Sequence, residues 1–246
     1  MKFIILILTA YFGVSCSSLP EGVDLKSIQN KYTETSDLLV LQSKNRTPTI
    51  GFIFYPGAFV DPHAYLKWQD KLIADNQDVK IFTVKMPANL AVLAAEKGYD
   101  LLNSNPEIKV WFAAGHSLGG TMAAQLVSNH VSEFKGLVFI ASYPANNALE
   151  TWNGAVLSIY ASKDGLSTLD DIEFHKKDLP TAYVLKNQND FILPLQSKTN
   201  YFNIVGGNHA QFGNYGLQAK DSVADITSEN QQSQLIQVLN NFISLL

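Results

Sequence analysis

The sequence predicts an α/β fold, a mostly parallel central sheet with helices on both faces, and three observations predict it. From Pro48 onward, short apolar runs rich in β-branched and aromatic residues alternate with segments of helical period. Several of those runs are apolar almost throughout, as in strands covered on both faces. One run leads directly into Gly115-His116-Ser117-Leu118-Gly119-Gly120 and then into a helical segment, so a strand must reverse sharply into a helix there. With 246 residues, 46% of them hydrophobic, the chain can bury a full core as one domain.

In chain order, residues 1–18 read MKFIILILTAYFGVSCSS: a lysine, an apolar run from Phe3 to Val14, then small residues, the pattern of a secretory signal peptide. The run is shorter than the roughly 20 residues a membrane-spanning helix needs. Its end, Val14-Ser15-Cys16, resembles the lipobox of bacterial lipoproteins, although Gly13 stands where that pattern usually has leucine. The resemblance implies export, lipidation of Cys16 and a lipid anchor in the membrane of the cell envelope. Residues 19–31 read as a tether and 32–246 as the folded domain, beginning with an edge strand at Leu38–Leu41. The strands that follow are expected at Thr49–Tyr55, Val79–Lys85, Val110–Ala114, Gly136–Ala141, Ala155–Ala161 and Tyr201–Val205. Helices are expected at Pro62–Ala74, Leu90–Leu102, Leu118–His130 and Ile172–Asp178, where apolar residues recur every three to four positions. A terminal helix, Ser228–Leu246, opens on a Ser228 cap and carries Leu235, Ile236, Leu239, Phe242 and Ile243 on one stripe.

Charge and cysteine usage narrow the function. A net charge of −4, with Arg46 as the only arginine and no lysine run, argues against nucleic acid as a partner, because such binding comes mainly from phosphate neutralisation. The one cysteine, Cys16, allows no internal disulfide and no cysteine-rich zinc site. Neither a metal nor an organic cofactor is called for, and no obligate protein partner is implied.

The glycines around Ser117 suit a strained turn that lifts the serine above the sheet edge, with the first amides of the following helix aimed at it. A phosphate-binding loop is the alternative, but the P-loop lysine is missing and the dinucleotide spacing is wrong. A nucleophilic serine needs a base, and the base a group that fixes its tautomer. His116 lies inside the turn and is expected to support it; His63, His130 and His175 read as surface or capping residues. His209, in a glycine-rich loop after the last apolar strand, is the expected base. Asp164, in the loop after Ala155–Ala161, is the expected orienting carboxylate, with Asp190 as a rival. Backbone amides of Ala58 and Leu118 are the candidate oxyanion donors, with Phe59 as alternate. Phe59, Tyr143, Phe212 and Tyr215 are candidates to line an apolar acyl pocket, against plain packing.

Taken together, Tyr55-Pro56-Gly57-Ala58, Gly115 to Gly120, Ser162-Lys163-Asp164-Gly165-Leu166 and GGNHAQFGNYG from Gly206 to Gly216 resemble the α/β-hydrolase superfamily. More closely they resemble a bacterial group with YPGG-like, GHSLGG and GGNHAQFG motifs. The resemblance runs over most of residues 49–246 and includes Met86–Val92 and Ile226–Gln232. It implies an α/β-hydrolase fold, the triad Ser117, Asp164 and His209, and hydrolysis of a small-molecule carboxylic ester through an acyl-enzyme. Acyl transfer or amide cleavage on the same triad, and a non-catalytic surface lipoprotein used for binding, are the alternatives. Residues 142–154 are too few for a large cap domain. Ala58 departs from the usual second glycine, and residues 181–200 are extra, expected as a flap beside the site.

Overall fold

The computed structural model describes residues 23–246, so the signal-like segment and Cys16 lie outside the described residues. Its strands are β1 (Lys31–Glu34), β2 (Leu38–Gln42), β3 (Ile50–Tyr55), β4 (Val79–Val84), β5 (Val110–His116), β6 (Gly136–Ile140), β7 (Ala155–Ala161), β8 (Thr181–Val184) and β9 (Lys198–Ile204). They form one sheet in the order β1-β2-β4-β3-β5-β6-β7-β9-β8. Only β2 runs antiparallel to its neighbours; every other pairing is parallel. The helices are α1 (Leu66–Asp75), α2 (Asp100–Ser104), α3 (Leu118–Asn129), α4 (Leu169–His175) and α5 (Ser228–Ser244).

Side chains alternate across the sheet with the period of two that a strand imposes. Phe52 and Phe54 face the core under α1 and α5, meeting Trp68, Leu72, Leu235, Leu239 and Phe242. Ile53 and Tyr55 face the other core, under α3, with Met122, Leu126 and Val127. Full burial of such side chains contributes about 1.5–3 kcal/mol each, and a sheet this apolar needs both layers. Among the described residues no helix is long and apolar enough to cross a membrane. The link from β6 to β7 carries no helix and no cap domain.

Several expectations are corrected. Leu38–Leu41 is a strand but not the edge, because the polar β1 pairs outside it. Within the expected tether, the amides of Gln29 and Asn30 donate to the Asp70 carboxylate on α1 at 3.0 and 2.9 Å. The expected helix Leu90–Leu102 breaks into short 3-10 turns at Pro87–Asn89, Ala91–Leu93 and Ala95–Gly98, followed by α2. The buried Tyr55 hydroxyl causes this: it donates to the Ala95 carbonyl and accepts the Gly98 amide. A Cβ at residue 98 would lie 2.6 Å from Ile53 Cγ2, so the segment is pinned flat against β3. The cap of α5 is Thr227, whose side chain accepts the Asn230 amide, one residue ahead of Ser228.

Residues 181–200 do not form a flap. Thr181–Val184 make the edge strand β8, and Leu185 and Leu195 enter the core. The intervening loop packs along α5, where Asn241 Nδ2 donates to the Gln188 carbonyl at 2.7 Å. The opening residues of α5 hold the Asn208 backbone through Gln231, so the 188–191 loop lies at the far end of that helix from His209.

Candidate active site

Strand β5 extends two residues beyond its expected end, through Gly115 and His116, and delivers Ser117 at the carboxyl edge of the sheet. Ser117 has φ 53° and ψ −129°, a backbone conformation that costs about 1–3 kcal/mol in a non-glycine residue. Its amide donates to the Ile140 carbonyl at 3.0 Å, and its own carbonyl accepts the Ser142 hydroxyl at 2.6 Å, so the turn is tied to β6 on both sides. The neighbouring glycines are required by space. A Cβ on Gly119 would lie 2.1 Å from the Tyr55 carbonyl oxygen, and one on Gly115 would lie 2.4 Å from Gly119. The Ser117 hydroxyl makes no capping bond to α3.

Strands β7 and β9 end level, with Ala161 paired to Ile204, so their following loops run side by side. The amide of Lys163 donates to the Gly207 carbonyl at 2.9 Å across that pair of loops. His209 Nδ1 lies 2.8 Å from Asp164 Oδ2, with both side chains almost fully buried. Asp164 Oδ1 accepts the amides of Leu166 and Ser167 at 2.8 and 2.7 Å. A carboxylate that receives N–H donors on one oxygen acts as acceptor on the other, which puts the His209 proton on Nδ1 and leaves the Nε2 lone pair free. His209 Nε2 has no hydrogen-bond partner among the described residues, and its bond to the Ser117 hydroxyl is not closed. Contacts of this kind commonly tighten only when substrate binds. Asp190 is elsewhere, accepting the Lys186 amide at 2.9 Å in the loop after β8.

A sequence profile of the alpha/beta hydrolase family matches residues 51–233, a span that holds the Ser117 turn, Asp164 and His209. The chain belongs to the alpha/beta hydrolase family. Solved structures agree on the fold. The hydrolase is similar to Est1E from Butyrivibrio proteoclasticus, with a TM-score of 0.58 and 10% identity over 87% of this chain and 98% of that one. It is also similar to a predicted CIB-like hydrolase from Thermoplasma acidophilum, with a TM-score of 0.57 and 13% identity over 87% and 98% of the two chains. No curated protein matches the sequence.

In this alpha/beta hydrolase the loop after β3 separates the candidate oxyanion donors. The Phe59 amide is taken by the Asn89 carbonyl at 2.8 Å and the Gly57 amide by the Tyr65 hydroxyl at 3.0 Å. The amides of Ala58 and Leu118 donate to no group among the described residues. Tyr65 lies within the expected helix Pro62–Ala74, which gave it no role of its own, yet its hydroxyl also meets His116 Nδ1 at 2.9 Å. Burial pushes the Tyr65 phenol well above its ordinary range and the His116 imidazole well below, the latter assisted by nearby His209. Both groups are therefore neutral, and because the Tyr65 hydroxyl already accepts the Gly57 amide, its own proton is directed to His116 Nδ1, whose ring centroid lies 4.6 Å from that of His209. Phe212 and Tyr215 are buried in the core beside His116, with ring centroids 5.9 and 6.2 Å away. Tyr143 is partly buried and stacks on His175 at 4.4 Å, and Phe59 is partly exposed with φ 60°. A cleft of about 430 Å³ opens beside the β3 loop, lined by Asp61, His63, Lys85, Met86 and Asn89. Among the described residues no group of three or more His, Cys, Asp or Glu could hold a metal ion.

Sequence reasoning missed Asp221. Its carboxylate accepts amides from the loops of both Asp164 and His209, but it stands in the polar stretch Gln218–Asp225 with no spacing that marks it.

Proposed function

We propose that this alpha/beta hydrolase is a serine hydrolase that cleaves small carboxylic esters through an acyl-enzyme, with Ser117 as nucleophile, His209 as base and Asp164 as its orienting carboxylate. The observation that carries the reading is the buried His209–Asp164 pair at 2.8 Å, on the sheet edge where the strained Ser117 stands. In the first step His209 Nε2 takes the Ser117 proton as the hydroxyl oxygen bonds the acyl carbon. The amides of Ala58 and Leu118 hold the oxyanion, and its collapse expels the alcohol, which leaves with the proton from His209. Water, activated by the same imidazole, then releases the acid. The ordered motifs support a place in the bacterial group with the GHSLGG and GGNHAQFG patterns, and export with lipidation of Cys16 belongs to the same reading. A Cys16→Ala variant is expected to leave the membrane fraction; unchanged fractionation overturns the anchor.

The test is turnover of p-nitrophenyl acetate against the matching anilide. Ester cleavage should exceed amide cleavage and fall by about 10⁴-fold or more in Ser117→Ala, since removal of a triad nucleophile leaves only binding and oxyanion contributions. Turnover unchanged in Ser117→Ala removes the assignment.

A further inference from the structure

The loops that carry Asp164 and His209 come from different strands, and one carboxylate bridges them. Asp221 Oδ1 accepts the amide of Gly165 at 3.1 Å and that of His209 at 3.3 Å, while Oδ2 accepts the amide of Ala210 at 2.9 Å. Its own neighbour Ser222 adds a fourth amide at 2.9 Å. We infer that Asp221 is a positioning residue that fixes the His209 loop against the Asp164 loop and so sets the separation of the two side chains.

Three features of the surroundings support this. Residue 165 has to be glycine for the contact to exist, because a Cβ there would lie 2.2 Å from the Lys220 carbonyl oxygen. Lys220 itself turns the chain at φ 72°, which directs the next residue back toward Gly165. The segment is held from the other side by Asn208, whose Nδ2 donates to the Ser222 carbonyl at 2.7 Å. Gln231 grips Asn208 in turn, accepting its amide at 3.0 Å and donating to its carbonyl at 2.7 Å. Donors converge on both carboxylate oxygens, so the site calls for an acceptor-only group; an asparagine would point an N–H toward one of the amides. Such charge-assisted bonds are about twice as strong as neutral ones.

Asp221 touches neither Ser117 nor the free Nε2 of His209, and its effect is transmitted through the two loops. The inference rests on the proposed roles of His209 and Asp164, and the experiment separates the two. Asp221→Asn, close to isosteric, and Asp221→Ala are compared for ester turnover and for the downfield proton resonance of the His209 Nδ1–H bonded to Asp164. A misplacement of about 1 Å can cost about 10²-fold in rate. The expected result is a kcat loss of about 10-fold in Asp221→Asn and about 100-fold in Asp221→Ala, with KM within about twofold. The downfield resonance should shift in the first variant and be lost in the second. Unchanged kcat and resonance in Asp221→Asn overturn the inference, as does a rise in KM alone. If Asp221→Ala does not fold, Asp221→Asn decides. If the wild type turns over no ester, the esterase reading fails, yet the resonance still reports whether Asp221 sets the His209–Asp164 contact.

Discussion

Ser117, Asp164 and His209 were legible because each stands in a local pattern whose cause is geometric. Glycines flank the serine where a Cβ would strike Tyr55 or Gly119, and the other two follow strands that end at the same edge. His116 was legible only as a support, because its partner Tyr65 lies 51 positions away. Its burial gives it a measurable signature. The folded imidazole is held well below its ordinary value, chiefly by desolvation, so between that depressed value and about 6.5 the unfolded chain binds a proton that the folded one refuses. Stability associated with His116 is thus complete above about 6.5 and lost as pH falls, by at most about 1.4 kcal/mol per unit. Urea midpoints of the wild type and His116→Gln at about pH 7.5 and about pH 5.5 should show a shallower acid loss in the variant. An equal or steeper loss contradicts a buried neutral His116.

At the level of elements, the strands covered on both faces were readable and the thin edges were not. β1 and β8 are only four residues long, KYTE and TAYV, and largely exposed, too short for an alternating pattern to separate them from loop. The segment Leu90–Leu102 misled for the opposite reason: its apolar spacing suits a helix, but Tyr55 binds it at Ala95 and Gly98 and flattens it on β3. That flattening follows the Met86–Asn89 turn, whose Asn89 carbonyl occupies the Phe59 amide and distinguishes it from the Ala58 amide next to it. The β5–α3 junction has little slack. Gly119→Ala forces a Cβ onto the Tyr55 and Pro56 carbonyl oxygens, 2.1 and 2.3 Å away. The expected cost is about 3 kcal/mol, the upper end for an overpacked core, read as a lowered denaturation midpoint together with loss of the proposed ester turnover. A variant of unchanged midpoint would show that β3 and α3 can separate without penalty.

Across the whole molecule, the parallel order brings the ends of β3, β5, β7 and β9 to one edge, and their loops supply the Ala58 turn, Ser117, Asp164 and His209 respectively. Strand alternation and the order of motifs announced this much; the bridging role of Asp221 and the path of residues 181–200 depended on contacts between segments distant in sequence. Among the described residues the Ser117 hydroxyl makes no capping bond and His209 Nε2 has no partner, while both carboxylate oxygens of Asp164 are engaged. A reactive hydroxyl beside a buried imidazole is the central claim, and a fluorophosphonate probe tests it most directly. Peptide mass spectrometry after labelling should find one adduct, on Ser117, formed by the wild type and absent from His209→Ala. An adduct on another residue, or full labelling of Ser117 without His209, would contradict it.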